Sequence, residues 1–203
     1  MKSLSEYKNV FIVGIKGAGM TNIAILLKAM GKHLTGSDVE EEFITDQSLH
    51  KHQIPILYSF QGSALPAETD LVIYSAAHKG AQNEQVIEAR NRSTDVVHQA
   101  EVLGALTQMF PTSIAVCGSH GKTTTTACLA YCLDRLGAEP SYIVGTSQFG
   151  EYEGGAYKNG KYFVVEADES DGSFQLLPAT YTVITNIDLD HMEHYGTRAN
   201  LDH

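Results

Sequence analysis

Short apolar, β-branched runs alternate with stretches of helical spacing along the chain, and that alternation leaves few architectures open. Val10–Val13 reads as a strand. Met20, Ile23, Ala24, Leu27 and Met30 then follow helical spacing, and Gly31 is suited to end that helix. His33–Gly36, Pro55–Tyr58, Leu71–Ser75 and Asp95–Val97 read as further strands. Ile44–His52, Glu84–Arg90 and Ala100–Gln108 read as the helices between them. Such an order predicts an α/β fold, a parallel sheet covered on both faces. The stretch Met109-Phe110-Pro111-Thr112 interrupts it, because proline resists helix continuation. It divides a first unit, residues 1–110, from a second, residues 111–203. In the second unit Ser113–Cys117 reads as a strand and Thr123–Leu136 as a helix, with Gly137 after it. Tyr142–Val144, Lys161–Ala167 and Tyr181–Asn186 read as strands. Asn159-Gly160, between Tyr157-Lys158 and Lys161-Tyr162, predicts a hairpin with a type I′ turn.

The 203 residues are 43% hydrophobic, sufficient for a core of this size. Lys and Arg total 14 against 24 Asp and Glu, a formal charge of -10, which argues against nucleic acid or an anionic membrane as a partner. A small anion is still admissible, because backbone N–H groups can hold phosphate whatever the global charge. No stretch approaches the roughly 20 apolar residues of a membrane span. The apolar run after Glu6 and Lys8 breaks at Lys16, so it does not read as a signal peptide. Three cysteines, Cys117, Cys128 and Cys132, suit a reducing compartment and hence a cytoplasmic protein. Cys128 and Cys132 stand one helical turn apart with no second pair to complete a metal site, which predicts core packing for both.

Chemistry is concentrated in the second unit. Gly118-Ser119-His120-Gly121-Lys122-Thr123-Thr124 lies between an apolar strand and a helix, the context of a phosphate loop. Its glycines allow a tight turn and close approach of backbone N–H groups to phosphate oxygens, and the helix start adds partial positive charge. Lys122 would contact the β- and γ-phosphates and the Thr123 hydroxyl would ligate Mg²⁺. The loop is shorter than the usual pattern, since Val116 stands where its first glycine would be. After the next apolar run come Glu166-Ala167-Asp168-Glu169-Ser170-Asp171, carboxylates that would repel one another without a cation. Thr185-Asn186-Ile187-Asp188-Leu189-Asp190-His191 again follows a strand. All three segments are expected at one sheet edge, where open α/β sheets bind ligands.

The first unit has a glycine-rich junction of its own, Gly14-Ile15-Lys16-Gly17-Ala18-Gly19-Met20, with Asp38 at the end of the next strand. The spacing departs from the dinucleotide fingerprint. It suits a diphosphate at a helix start and an acid near a ribose or base, without saying which nucleotide, and a turn with no ligand is the bland alternative.

In this order the segments resemble the Mur ligase family. Gly118–Thr124 is similar to that family's ATP loop. Glu166–Asp171 with Gly172-Ser173-Phe174, and Thr185–His191, resemble segments of the branch that joins L-alanine to UDP-N-acetylmuramate. Gly17–Met20, Gly36-Ser37-Asp38 and Ser75-Ala76-Ala77 resemble that branch's UDP-sugar-binding domain. The resemblance implies a Rossmann-like UDP-sugar domain followed by part of a P-loop-type α/β ATPase domain, which would stop just after His191, with a third domain absent and the piece alone inactive and weak in ATP affinity. It implies Gly17, Ala18, Gly19, Met20, Asp38 and Ser75 for the UDP-sugar, and Gly118 through Thr124 for ATP. It also implies Lys122, Glu166 and His191 for catalysis, and Thr123, Glu166 and His191 for Mg²⁺.

Three positions depart from the pattern. Lys16 stands where the family usually has glycine, and would either add an anion contact or crowd the loop. His98-Gln99-Ala100-Glu101 replaces Arg-Ala-Glu, and His194 takes the place of a common Asp. The implied reaction is amide formation through an acyl phosphate. Rival readings are a Mur-type ligase that attaches recovered tripeptide to the same UDP-sugar, a non-catalytic nucleotide-binding module, and a nicotinamide dehydrogenase, in which the second loop would have no role.

Overall fold

The computed structural model describes residues 2–168 and 173–188. The first sheet has five parallel strands: β1 Asn9–Val13, β2 His33–Ser37, β3 Ile56–Leu57, β4 Leu71–Tyr74 and β5 Asp95–His98. Their spatial order is β3-β2-β1-β4-β5. The order turns around at β1, so the chain leaving β1 opens a crevice at the carboxyl edge. Helices α1 Ala18–Ala29, α2 Asp46–Lys51 and α3 Glu84–Asn91 lie in crossovers between these strands, and α4 Gln99–Met109 leads from β5 out of the sheet. Local signals set their ends. Gly31 takes φ +86 after α1, as a left-handed helix stop requires. Asn83 Oδ1 accepts the Gln85 N–H to start α3. His98 and Glu101 cap α4 reciprocally, the His98 N–H donating to Glu101 Oε1 at 2.9 Å.

The second sheet comprises β6 Thr112–Cys117, β7 Ser141–Phe149, β8 Tyr152–Ala156, β9 Tyr162–Glu166 and β10 Tyr181–Ile184, in the order β10-β6-β9-β7-β8. All pairs are parallel except β7 with β8. Helix α5, Lys122–Arg135, packs against β7 and β9.

Two expectations fail here. Asn159-Gly160 makes no hairpin, because β9 lies between β6 and β7 and parallel to both. Phe163, Val164 and Val165 are fully buried, the pattern of a central parallel strand rather than of a hairpin arm. The hairpin instead joins β7 to β8 through Gly150-Glu151, with Gly150 at φ +56 in the first central position, as in a type II′ turn. Cys128 and Cys132 are exposed rather than buried. The inward stripe of α5 is Thr126 and Ala130, and positions two residues further lie about 200° around the helix.

The two sheets are joined through α1. Met20, Ile23, Ile25, Leu26 and Leu27 are all buried, so this helix has almost no outer face. One side covers the first sheet and the other meets β7 and β8. Asn22 Nδ2 donates to the carbonyls of Val144 (2.7 Å) and Thr146 (2.9 Å). Ile12, Ile23 and Leu27 share one apolar cluster with Ile143, Phe163 and Val165. At the rim, Glu153 on β8 receives His52 at 2.9 Å and Lys51 at 3.2 Å. Burial alone would raise the Glu153 carboxyl, but His52 and Lys51 outweigh it and hold it below the usual range.

The N-terminal segment is tied down by Tyr7, whose hydroxyl donates to Asp95 Oδ2 at 2.8 Å. Burial and then that carboxylate push the phenol from 10.0 up to about 12. A raised folded-state value means the contribution is full below the unfolded value and is lost as pH rises through the folded one. The stability gap between the parent chain and Tyr7→Phe in urea is therefore expected to be constant near neutrality and to narrow steadily between about pH 10 and 12. A gap that stays constant to the top of that range would exclude this assignment.

Candidate functional site

The strand β6 ends at Cys117, and the chain turns through Gly118 at φ +125 and Gly121 at φ +79 into α5. Only glycine enters such conformations without strain. At Gly118 space is closed as well: a Cβ there would overlap Thr185 Oγ1 and come within 2.7 Å of the Asn186 carbonyl. No side chain caps α5 at Gly121, the arrangement of a helix start that receives an anion. Lys122 Nζ lies on the loop's own carbonyls, at 2.8 Å from Gly118 O and 3.5 Å from Ser119 O.

The segment after β10 braces this loop. Asn186 Oδ1 accepts the His120 N–H at 3.0 Å, and Asn186 Nδ2 donates to the His120 carbonyl at 2.8 Å. Thr185 Oγ1 donates to the same carbonyl at 2.6 Å. Ser119 Oγ accepts the Asp188 N–H at 2.9 Å, and the Asp188 carboxylate is 3.8 Å from His120 Nε2. On the other side, β9 delivers Glu166. Its Oε1 accepts the Thr123 hydroxyl at 2.9 Å, and its Oε2 accepts the Gly145 N–H at 2.5 Å. A hydroxyl and a carboxylate joined directly at a phosphate loop form an oxygen donor set suited to a hard divalent cation. Among the described residues, no three His, Cys, Asp or Glu side chains gather as a metal cluster.

The first unit's glycine-rich junction follows the same plan. Gly14, at φ +76, and Ile15 donate their N–H groups to the Ser37 carbonyl at 2.9 and 3.1 Å, and α1 then starts from Gly17 without a side-chain cap. Asp38 is buried. Its Oδ2 accepts the Lys16 N–H at 2.7 Å and its Oδ1 the Val39 N–H at 2.8 Å, so the acid fixes the turn as well as facing the site.

Lys16 neither meets the site nor crowds it. Its ammonium turns away, 3.3 Å from Asp46 and 2.7 Å from the Glu41 carbonyl, over the rings of Tyr58 (4.9 Å) and Phe43 (5.6 Å). Thr45 Oγ1 closes the arrangement on the Lys16 carbonyl at 2.6 Å. Burial of an ammonium is costly unless it is paired and hydrogen-bonded, and here it is both.

Both junctions open on one cavity of about 440 Å³. Gly17, Ala18, Gly19, Met20, Asp38 and Ser75 line it from the first sheet, and Lys122, Glu166 and Asp168 from the second. Gly118, Ser119, His120, Gly121, Thr123 and Thr124 lie on the phosphate loop beside it. His191, Glu169, Asp171 and Asp190 lie outside the described residues. The sequence reading missed His78, Gln99 and Gly145 on the wall and Asn22 beneath it. Only Gln99 carried a signal, as part of the altered Arg-Ala-Glu segment.

Residues 9–111 match the Mur ligase family, catalytic domain, and residues 116–202 match the Mur ligase middle domain. The chain belongs to the Mur ligase family. Among similar curated proteins, the UDP-N-acetylmuramate--L-alanine ligase of Rhodospirillum rubrum is 42% identical over 91% of this chain and 38% of its own length. That of Cereibacter sphaeroides is 41% identical over 95% and 40%. This chain therefore spans about 40% of the length of such Mur ligases. The solved UDP-N-acetylmuramate-alanine ligase of Thermotoga maritima superposes with a TM-score of 0.85 at 30% identity, over 97% of this chain and 45% of that one. The UDP-N-acetylmuramate:L-alanyl-gamma-D-glutamyl-meso-diaminopimelate ligase from Neisseria meningitides shares the fold, with a TM-score of 0.80 at 22% identity, over 96% of this chain and 65% of that one. No described helix is long and apolar enough to cross a membrane.

Proposed function

We propose that this chain carries the UDP-sugar and ATP sites of a peptidoglycan-precursor ligase that joins L-alanine to the carboxylate of UDP-N-acetylmuramate. The observation that supports this most is one cavity lined by the helix-start turn of the first sheet and, from the second, by Lys122 at the start of α5 and by Glu166. Each turn suits a phosphate group, and ATP-driven activation of a UDP-sugar carboxylate brings two phosphate-bearing substrates side by side. The names of the relatives favour L-alanine as the acceptor. The reading implies a cytoplasmic protein, since both nucleotides are drawn from cytoplasmic pools.

A free carboxylate is a poor electrophile, because it is anionic and resonance-stabilised. Attack of its oxygen on the γ-phosphorus of ATP breaks the bond to the bridging oxygen, releases ADP and leaves an acyl phosphate, which takes the charge off the carboxyl and supplies a leaving group. The amine of L-alanine then attacks the carbonyl carbon, and inorganic phosphate departs. The protein's part is positioning and charge neutralisation. Gly17–Met20 would hold the UDP diphosphate at the start of α1, with Asp38 and Ser75 beside it. Gly118–Thr124 would wrap the ATP phosphates, and the Lys122 ammonium would leave its loop carbonyls for the β- and γ-phosphate oxygens. Thr123 and Glu166 would hold Mg²⁺ with His191, and the ion would neutralise charge on the transferring group.

Lys122→Met tests the assignment. A charge-assisted phosphate contact is worth about 1.5–3 kcal/mol, so Mg-ATP affinity measured by calorimetry is expected to fall about 10- to 100-fold. Affinity for UDP-N-acetylmuramate should stay as it was. Equal ATP affinity in the variant would remove Lys122 from the nucleotide site.

A further inference from the structure

The wall that the first sheet gives the cavity has an unusual charge balance. It carries a buried carboxylate, Asp38. Lys16, the nearest lysine in sequence, is enclosed behind the wall with Asp46. Gln99, beside Gly19, is neutral. Among the described residues lining this wall, His78 alone has a side chain that can bear positive charge. Lys122 faces the cavity from the opposite sheet, on the phosphate loop.

His78 is held in place from several directions. Its backbone is left-handed, φ +51, a conformation that persists in a non-glycine residue only where the surroundings impose it. Asn83 Nδ2 donates to its carbonyl at 3.1 Å. Its ring stacks on Phe60 at 4.6 Å, and its Nε2 is 3.5 Å from Asp38 Oδ1. Gly14 makes room for it: a Cβ at that position would stand 2.9 Å from His78 Cδ2. A ring fixed so firmly against the one acid among the described residues of this wall is built to meet charge.

We infer that His78 is a specificity residue of the UDP-sugar site, whose ring, charged when protonated, offsets Asp38 and lets the Gly17–Met20 turn retain a diphosphate over an uncharged nucleoside. The inference rests on the reading of that turn as a nucleoside-diphosphate site. A diphosphate brought beside an unopposed buried carboxylate would be repelled. A protonated ring beside Asp38 would cancel the repulsion and add attraction of its own.

The test is titration of the 203-residue chain with UDP and with uridine, followed by amide chemical shifts. His78→Gln keeps a hydrogen-bonding side chain and removes the group that can bear charge. It should weaken UDP about tenfold and leave uridine unchanged. Gln99→Arg added to that variant should recover most of the loss. Equal weakening of UDP and uridine, or weakening of neither, would overturn the inference and leave the site standing. A folded parent chain that binds uridine and UDP equally would overturn it too. Binding of neither would overturn the reading of the site itself. If His78→Gln does not fold, His78→Lys decides: retained preference for UDP supports the role of charge, and lost preference overturns it.

Discussion

Gly155→Val is expected to separate the two sheets and to abolish both ligand affinities at once. Gly155 sits on β8 against the backbone of α1. A Cβ there would overlap the Asn22 carbonyl oxygen and stand 2.8 Å from Asn22 Cα. Backbone cannot rotate aside as a side chain can, so the helix must lift from the hairpin. Lifting it breaks the bonds from Asn22 to Val144 and Thr146 and opens the apolar cluster that spans both sheets. Overpacking of this kind costs about 3 kcal/mol or more. Urea unfolding of the parent should show one transition, and that of the variant an earlier and broader one. Binding of UDP-N-acetylmuramate and of Mg-ATP should both be lost, because each end of the cavity depends on α1 or on β7. An unchanged urea midpoint would contradict the close packing at this position.

Gly118→Val should do the reverse, removing one ligand and sparing the other. A side chain at φ +125 is strained whatever the space, and here it would also strike Thr185 and Asn186. Those two residues hold the His120 peptide from both sides, so their displacement unfastens the phosphate loop. Mg-ATP binding is expected to become undetectable by calorimetry. UDP-N-acetylmuramate should still bind, since its turn lies between β1 and α1, away from this contact. Loss of both ligands would mean that the loop supports the whole second sheet rather than its own site.

Much of the fold could be read from periodicity. The first sheet's strands and helices were legible because each apolar run is short, bounded by polar or turn residues, and followed by a helix-spaced stretch. The Asn159-Gly160 signal misled because turn chemistry is local while strand neighbours are set by burial. Phe163–Val165 is apolar on both faces, and that feature already pointed to a central strand. Cys128 and Cys132 were misplaced for a related reason: cysteine is often buried on average, but Thr126 and Ala130 define the inward stripe of α5. The two glycine-rich turns were legible as strand-to-helix junctions because their residues are contiguous. His78, Gly145 and Asn22 were not, because each acts on a partner far away in the chain. Lys16 showed as a departure in sequence, but its direction depends on Asp46, Phe43 and Tyr58, which no spacing rule connects to it.

The helix shared by the two sheets has a kinetic consequence. Because α1 starts at one of the turns proposed for phosphate and packs on the strand that borders the other, the gap between the turns is set when the chain folds. Neither ligand has to draw the two halves together. The entropy of bringing two reactants into register is thus spent largely in advance, and a carboxylate seated at one end would meet a phosphoryl group seated at the other at an effective concentration far above that of either in solution.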